Sequence, residues 1–170
     1  MGIRTVRTEG DECLRKVCKP VKSVSLRTRI LIEDMFDTMY ESGGVGLAAP
    51  QIGVLKRIVV MDTDDNQHVL INPQILEVSG EQTGYEGCLS IPGKSGIVTR
   101  PDYVKVKALN ERGEEYILEG EGLLARCICH ECDHLDGILY SDKAEGGLIN
   151  NEDLPEDEEE ELPPPVRRKP

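Results

Sequence analysis

The sequence predicts an α+β fold that combines a largely antiparallel system of β-sheets with a helix late in the chain. Apolar segments of strand length follow one another with connections too short for helical crossovers, which favours antiparallel pairing. After the last of these strands, residues 122–136 carry helix signals. At 170 residues, with 38% hydrophobic residues, the chain is long enough to bury a sizeable core around that helix.

Two helical segments precede the first predicted strand. Asp11 starts a short helical turn that Pro20 ends, because proline cannot continue a helix. Ser25 is a suitable N-cap for a longer helix that runs to about Ser42, where two glycines close it. The apolar stripe of this longer helix is wide enough to dock on a sheet and is formed by Leu31, Met35 and Met39 beside Ile32, Phe36 and Tyr40.

A run of small residues, 43–53, follows the longer helix. Glycine and alanine let another backbone or a ligand approach closely. A flexible linker is disfavoured, because apolar residues are interspersed and Gln51 is the single polar side chain of the run. A buried amide needs a hydrogen-bond partner. We therefore expect this run to line a substrate site, with Gln51 directed into it.

The remaining elements are short strands and one helix. Strands are predicted, in order, at 57–61, 68–71, 74–79, 82–85, 104–108 and 116–118. The third and fourth form a candidate pair separated by Gly80, and residues 110–113 turn the fifth strand into the sixth as a hairpin. The late helix runs from about Gly122 to residue 135 or 136, with Gly137 beyond its end.

The net charge of −12 is concentrated toward the C terminus. Residues 151–170 contain eight acidic and three basic side chains, a net of −5, together with five of the ten prolines. Such a composition predicts a disordered, solvated tail. We therefore divide the chain into a folded domain at 1–147 and an acidic, Pro-rich tail at 148–170. Direct nucleic-acid binding is not expected, because phosphate contacts require a basic surface.

Targeting signals are not apparent in the sequence. No apolar run approaches the roughly 18 residues that span a bilayer, so no membrane association is expected. Residues 1–12 lack the apolar core of a signal peptide. We expect a cytoplasmic protein whose six cysteines are thiols or metal ligands rather than a disulfide framework.

The late helix carries the pattern His-Glu-x-x-His. His130 and His134 are four residues apart, roughly 40° from each other around the helix, so both imidazoles can reach one metal ion. Glu131 lies roughly 60° to the side of the pair, where it can act as a general base without being a ligand. A buried pair of histidines with a structural role is the alternative. The pattern favours a metal-binding helix for hydrolysis.

A catalytic metal usually has three protein ligands, so a third is needed. Cys127 is the local candidate, one turn before the histidines, whereas Cys129 and Cys132 point away from their face. Cys88 is the remote candidate, between a glycine and a leucine at the end of a strand. Three ligands on one helix would form a crowded, nearly linear row, so geometry favours Cys88.

The sequence contains three motifs in the order in which the peptide deformylase family has them, and the chain therefore resembles that family. They are Gly-Val-Gly-Leu-Ala-Ala-Pro-Gln at 44–51, Glu-Gly-Cys-Leu-Ser at 86–90 and His-Glu-x-Asp-His at 130–134. The similarity covers about residues 3–142, which makes 1–147 a deformylase-like catalytic domain. The resemblance implies the deformylase α+β fold, with antiparallel sheets packed around the central metal-binding helix. It places the metal ligands on Cys88, His130 and His134, the acid/base on Glu131 and an oxyanion-binding amide on Gln51.

The resemblance also implies an activity: hydrolysis of the formyl group from the N-formylmethionine of nascent peptides, with release of formate. The backbone N–H of Leu89 would assist Gln51 at the oxyanion. The peptide would add as a strand along Gly44, Val45, Gly46 and Gly87. The cofactor is one divalent ion, Fe(II) in the cell by resemblance, with zinc, nickel or cobalt suited to the same ligands.

The chain departs from the family at several positions. Cys129 and Cys132 replace other residues on the side of the helix away from the ligands, with little expected effect on chemistry. Ser95 stands where some members carry an arginine near the substrate, so contacts there are open. The acidic tail does not support ribosome docking through a basic terminal helix, and at most transient ribosome contact is expected.

Two other function classes share part of the pattern. A zincin-like endopeptidase also uses His-Glu-x-x-His, but the best third-ligand candidate here is a thiolate. Cleavage of unformylated peptides would favour that class. A non-catalytic metal-binding protein that uses the cysteines of the helix is the second alternative, and a closed four-ligand site would support it.

Overall fold

The computed structural model describes residues 2–155, which form two α-helices, eight strands and four short 3-10 turns. The helices are α1 (Leu26–Glu41) and α2 (Leu123–Leu135). The strands are β1 (Gly46–Ala48), β2 (Ile58–Asp62), β3 (Gln67–Ser79), β4 (Gln82–Cys88), β5 (Ile91–Arg100), β6 (Tyr103–Leu109), β7 (Glu115–Glu121) and β8 (Glu145–Asn150). The turns are Glu12–Arg15, Ala49–Ile52, Tyr140–Asp142 and Asn151–Asp153.

The strands form two antiparallel sheets. A five-stranded sheet has the order β1-β2-β3-β6-β7, and a three-stranded sheet has the order β4-β5-β8. All the pairings that build these sheets are antiparallel. The predicted α+β class, with antiparallel sheets around a central helix, is therefore confirmed. Within residues 2–155, no helix is long and apolar enough to cross a membrane.

Strand β2 lies between the two helices, and all five of its residues are buried. Val59 and Met61 pack in the same cluster as Ile128 of α2. The alternate residues Ile58 and Val60 belong to the cluster that holds the predicted apolar stripe of α1, except for Tyr40, which is 38% exposed. Because successive side chains of a strand point to opposite faces, the apolar run of β2 supports one helix on each side. This arrangement makes α2 a core helix.

The predicted pairing of 74–79 with 82–85 is wrong. Residues 67–79 form the single strand β3, which pairs with β2 and β6, whereas β4 pairs with β5. The register of β3 shifts between Ile71 and Gln74, around Pro73. A proline has no N–H for the ladder and is accommodated at such a bulge. Strands β1, β5 and β8 were not predicted; β1 lies in the run of small residues, and β5 and β8 are rich in glycine and polar residues.

The predicted boundary between domain and tail falls inside β8, which pairs with β5. Ser95 of β5 is fully buried and donates a hydrogen bond from Oγ to Oδ1 of Asn151 at 2.5 Å. Ser95 therefore anchors the segment after β8. The division at residue 147 stays a prediction, and most of the predicted tail, from residue 156 onward, lies outside the described residues.

Candidate active site

Helix α2 presents two buried histidines toward the three-stranded sheet. His130 and His134 are 2% and 1% exposed, and their ring centroids are 5.0 Å apart. The other side of the helix, which includes Ile128 and Leu135, packs in the core. The hydrophobic packing of one face thus fixes where the imidazoles of the other face lie.

Strand β4 brings Cys88 to these histidines. The register of β4 against β5 shifts between Glu86 and Cys88, so Gly87 forms a bulge that re-aims the end of the strand. The Cys88 Sγ atom lies 3.3 Å from Nε2 of His134. One ligand atom each from Cys88, His130 and His134 lies within 4.8 Å of the others. The structure therefore brings the three sequence-predicted ligands together.

These three side chains fit a metal ion. Ligand atoms around a tetrahedral Zn-like ion with N and S donors are about 3.5 Å apart, which is close to the observed spacing. Among the described residues, Nε2 of His130 has no hydrogen-bond partner although it is buried. A thiol and two imidazoles with an unpaired nitrogen form a donor set that could hold a divalent cation.

Glu86 orients His130 from behind. Its Oε1 atom lies 2.6 Å from Nδ1 of His130 and accepts a hydrogen bond from it. Donation from Nδ1 leaves the lone pair on Nε2, the tautomer that a metal ligand requires. Burial opposes the charge of Glu86, but His130 and Arg100 outweigh it and hold the pKa of this carboxyl far below its usual range. Burial keeps the pKa of His134 well below its ordinary value, so this imidazole is neutral.

Two buried arginines hold the Glu86 carboxylate. Arg100 donates to both of its oxygens, at 3.1 and 2.6 Å, and Arg126 donates to Oε2 at 2.7 Å. Arg100 also pairs with Asp133 at 2.7 Å, and Lys143 pairs with the same carboxylate at 2.8 Å. Through Arg100, the Asp133 carboxylate of α2 is connected to Glu86. The arginines were missed because a sequence does not show which charges are buried together.

Glu131 is fully buried beside the histidines, and both of its oxygens lack a hydrogen-bond partner in the described part of the chain. Burial raises the pKa of this carboxyl to about 7. A pKa near neutrality lets one group both accept and donate a proton. The predicted position of Glu131, beside the ligands but not among them, agrees with the geometry.

Gln51 reaches the same region from the 3-10 turn after β1. Its Oε1 atom accepts from the Ala48 N–H at 2.9 Å, which turns the Nε2 amide toward Cys88 Sγ at 3.6 Å and Ser90 Oγ at 3.1 Å. Leu89 follows Cys88 and is half-buried. The Leu89 side chain packs against the backbone of Gly44, two residues before β1, because a Cβ atom added at Gly44 would lie 2.7 Å from Leu89 Cδ1.

The other cysteines of α2 lie outside the ligand group. Cys127, the alternative third ligand, is fully buried, and its Sγ is 3.9 Å from the Val45 carbonyl oxygen. Burial raises its pKa well above the ordinary value, which keeps it a thiol. Cys129 and Cys132 pack in the core cluster of α2, as expected for residues that point away from the histidines.

A buried Cys-His-His donor set beside an unpaired carboxylate is the arrangement of a metal-dependent hydrolase. Comparison with known proteins gives the family. The polypeptide deformylase family model matches residues 3–147. A peptide deformylase of Agathobacter rectalis is 61% identical over 148 residues, covering 87% of this chain and 94% of the relative. One of Lachnoclostridium phytofermentans is 55% identical over 163 residues, covering 94% of this chain and 100% of the relative.

Solved structures agree with the sequence relatives. The peptide deformylase of Thermotoga maritima has a TM-score of 0.83 at 42% identity and covers 85% of this chain and 99% of its own. That of Legionella pneumophila has a TM-score of 0.82 at 47% identity and covers 85% of this chain and 88% of its own. The chain belongs to the polypeptide deformylase family. It is a metal-dependent hydrolase that removes the N-formyl group from nascent peptides, so the predicted family and activity are confirmed.

Proposed function

We propose that this chain performs deformylation with one divalent metal ion held by Cys88, His130 and His134, and with Glu131 as the acid/base. One observation carries the proposal: the unpaired Glu131 carboxylate is buried next to the only such Cys-His-His group found in residues 2–155. A metal in that position polarises a carbonyl oxygen and lowers the pKa of water from 15.7 toward about 7.

The proton path runs through Glu131. Its carboxylate takes the proton of the attacking water and then delivers that proton to the amine that leaves from the formyl carbon. The same group serves both steps because its pKa of about 7 lies near the working pH. Burial away from solvent keeps the proton on this path.

Two donors stabilise the developing charge on the formyl oxygen. The Nε2 amide of Gln51, which the Ala48 N–H on its own Oε1 directs toward Cys88, is the first donor that we assign. The backbone N–H of Leu89 is the second donor that we assign. The contact of the Gln51 amide with Cys88 Sγ and the position of Leu89 directly after Cys88 support an oxyanion site beside the proposed ion.

The peptide lies along β1 in this proposal. β1 is an edge of the five-stranded sheet, paired only with β2 among the described strands, so its outer edge can accept an added strand. Gly44, Val45 and Gly46 provide one side of the peptide site and Gly87 the other. Backbone recognition of this kind does not depend on side chains beyond the first residue, which suits an enzyme that acts on many nascent chains.

Fe(II) is the metal that we propose in the cell, on the basis of the family resemblance, with zinc, nickel or cobalt able to occupy the same donors. The net charge of −12 supports a protein that does not bind nucleic acid directly. Contact with the ribosome is proposed to be transient, and the cytoplasm is the proposed location.

The test is formate release from N-formyl-Met-Ala-Ser. The protein is purified without oxygen, its metal is removed with a chelator, and it is reloaded with Fe(II) or Zn(II). Metal content and formate release are then measured on the same sample. We expect about one ion per chain, formate release that requires the ion, and faster release with Fe(II) than with Zn(II). Unformylated Met-Ala-Ser is the control for peptidase activity and should remain intact. Formate release by metal-free protein would refute the proposed chemistry, and equal rates with both ions would refute the choice of iron.

A further inference from the structure

Arg126 lies one helical turn before His130 on α2, and both side chains bind the same carboxylate. The Arg126 guanidinium donates from NH1 to Oε2 of Glu86 at 2.7 Å, and Nδ1 of His130 donates to Oε1 at 2.6 Å. We propose that Arg126 is a positioning residue that retains the metal, because it fixes the Glu86 carboxylate that orients the His130 imidazole. This inference rests on the proposed metal site.

The placement of Arg126 suits this role. The residue is 3% exposed, so its contacts with Glu86 are shielded from water. Its NH2 group donates to the backbone carbonyl oxygens of Val98 at 3.2 Å and of Gln82 at 3.5 Å. The Arg126 side chain therefore connects α2 to β4, which carries Cys88, and to β5, which pairs with β4.

The position of Glu86 makes these contacts of Arg126 relevant to two of the proposed ligands, His130 and Cys88. Glu86 lies two residues before Cys88 in β4, on the far side of the Gly87 bulge. Movement of the Glu86 carboxylate would change the orientation of the His130 ring, and movement of its backbone would displace Cys88. Residues that orient metal-bound histidines typically change metal affinity 10- to 100-fold when they are substituted.

Arg100 also binds the Glu86 carboxylate, but it has a second carboxylate partner. It binds both oxygens of Glu86 and also Asp133, so its removal would disturb a wider set of charges. Arg126 has no carboxylate partner other than Glu86 among the described residues. Replacing Arg126 removes one of the two arginines that hold Oε2 and leaves the contacts of Arg100 in place, so a partial loosening of the site is expected.

The experiment measures how fast a chelator removes Co(II) from the loaded protein, together with kcat and KM for N-formyl-Met-Ala-Ser. Arg126→Met should release the ion at least about tenfold faster than wild type. KM should stay near the wild-type value, since Arg126 does not line the proposed peptide site. Arg126→Lys keeps the positive charge but loses the several N–H donors of the guanidinium, so its rate of metal release should lie between those of wild type and Arg126→Met. If Arg126→Met does not fold, the Lys variant decides the question.

Arg57→Met is the matched control. Arg57 donates to the carbonyl oxygens of Leu135 and Cys18 and pairs with Asp136, so it anchors the other end of α2. Its loss should lower the melting temperature of the metal-free protein without faster metal release. Metal release by Arg126→Met within twofold of wild type, or equal acceleration by Arg57→Met, would overturn the proposal. Failure of the wild type to bind an ion would instead refute the metal site itself.

Discussion

The backbone of Gly46 packs against the carboxylate of Glu131. A Cβ atom at position 46 would lie 2.6 Å from Glu131 Oε2 and 2.8 Å from the Sγ of Cys127. Both neighbours are fully buried on α2, so neither can move away from an added methyl group without disturbing the surrounding packing. The missing side chain of Gly46 therefore defines the space that the Glu131 carboxylate, the proposed acid/base, occupies, and it brings the first sequence motif against the third.

Gly46→Ala should displace Glu131 without removing the metal. A misplacement of about 1 Å at a reacting group can reduce turnover about 100-fold, and a loss of that order in kcat is expected. Metal content should remain at the wild-type level, because the three atoms nearest to the added methyl group belong to Glu131 and Cys127, which are not among the proposed ligands. Gly2→Ala is the control, since its Cβ would meet only Asp34, at an ordinary 3.5 Å. Wild-type turnover by Gly46→Ala would contradict the packing described above.

Glu131→Gln should abolish the proton path while preserving the site. The amide keeps the shape of the side chain but cannot accept a proton, so kcat should fall by roughly 10²- to 10⁴-fold. The variant should bind as much metal as the wild type, because Glu131 is not one of the three donors. Measurement of formate release and metal content on one sample separates the two effects. Wild-type turnover with metal bound would remove Glu131 from the mechanism.

Gln51→Leu should reduce kcat by roughly 100-fold or more through the loss of one oxyanion donor. Ser90→Ala is the comparison variant. Ser90 Oγ accepts a hydrogen bond from the Gln51 amide at 3.1 Å, and the substitution removes only that contact. A hydrogen bond of about 1 kcal/mol corresponds to roughly a fivefold effect for Ser90→Ala. Steady-state kinetics on N-formyl-Met-Ala-Ser measures both. Equal losses in the two variants would mean that Gln51 acts only through its contact with Ser90.

Truncation tests the predicted division of the chain. A protein that ends at Pro155 should release formate at the wild-type rate, because every assigned site residue lies before residue 135. A protein that ends at Gly147 also loses the last three residues of β8 and Asn151, which pair with β5 through Lys94 and Ser95. Its melting temperature should fall by about 3 °C or more. If the protein that ends at Gly147 keeps the wild-type melting temperature, the folded domain does end at residue 147.

The elements that were predicted correctly are those with local signals. Ser25 caps α1 through a hydrogen bond to the Thr28 N–H, as its position indicated. The histidine spacing located α2, and the packing of Ile128 in the core fixed the face that the ligands occupy. Local spacing sufficed in these cases because each depends on residues within one or two turns.

The features that were missed depend on distant partners. The sequence predicts two strands, at 68–71 and 74–79, whereas a bulge around Pro73 lets β3 continue through both. Glu86 lies 14 residues from Arg100 and 40 from Arg126, and no periodicity connects them. Ser95 was compared with an arginine near the substrate, yet it is buried against the segment that follows β8. Such contacts arise from the packing of the two sheets and α2.

The identity of the thiolate ligand is tested most directly by loading the protein with Co(II) and recording its absorption spectrum. A cobalt–thiolate bond gives a charge-transfer band that oxygen and nitrogen ligands do not produce. We predict this band in the wild type and in Cys127→Ser, and its loss in Cys88→Ser, because Cys88 belongs to the buried donor group and Cys127 does not. A band that persists in Cys88→Ser, or disappears in Cys127→Ser, would contradict the assignment of the metal site.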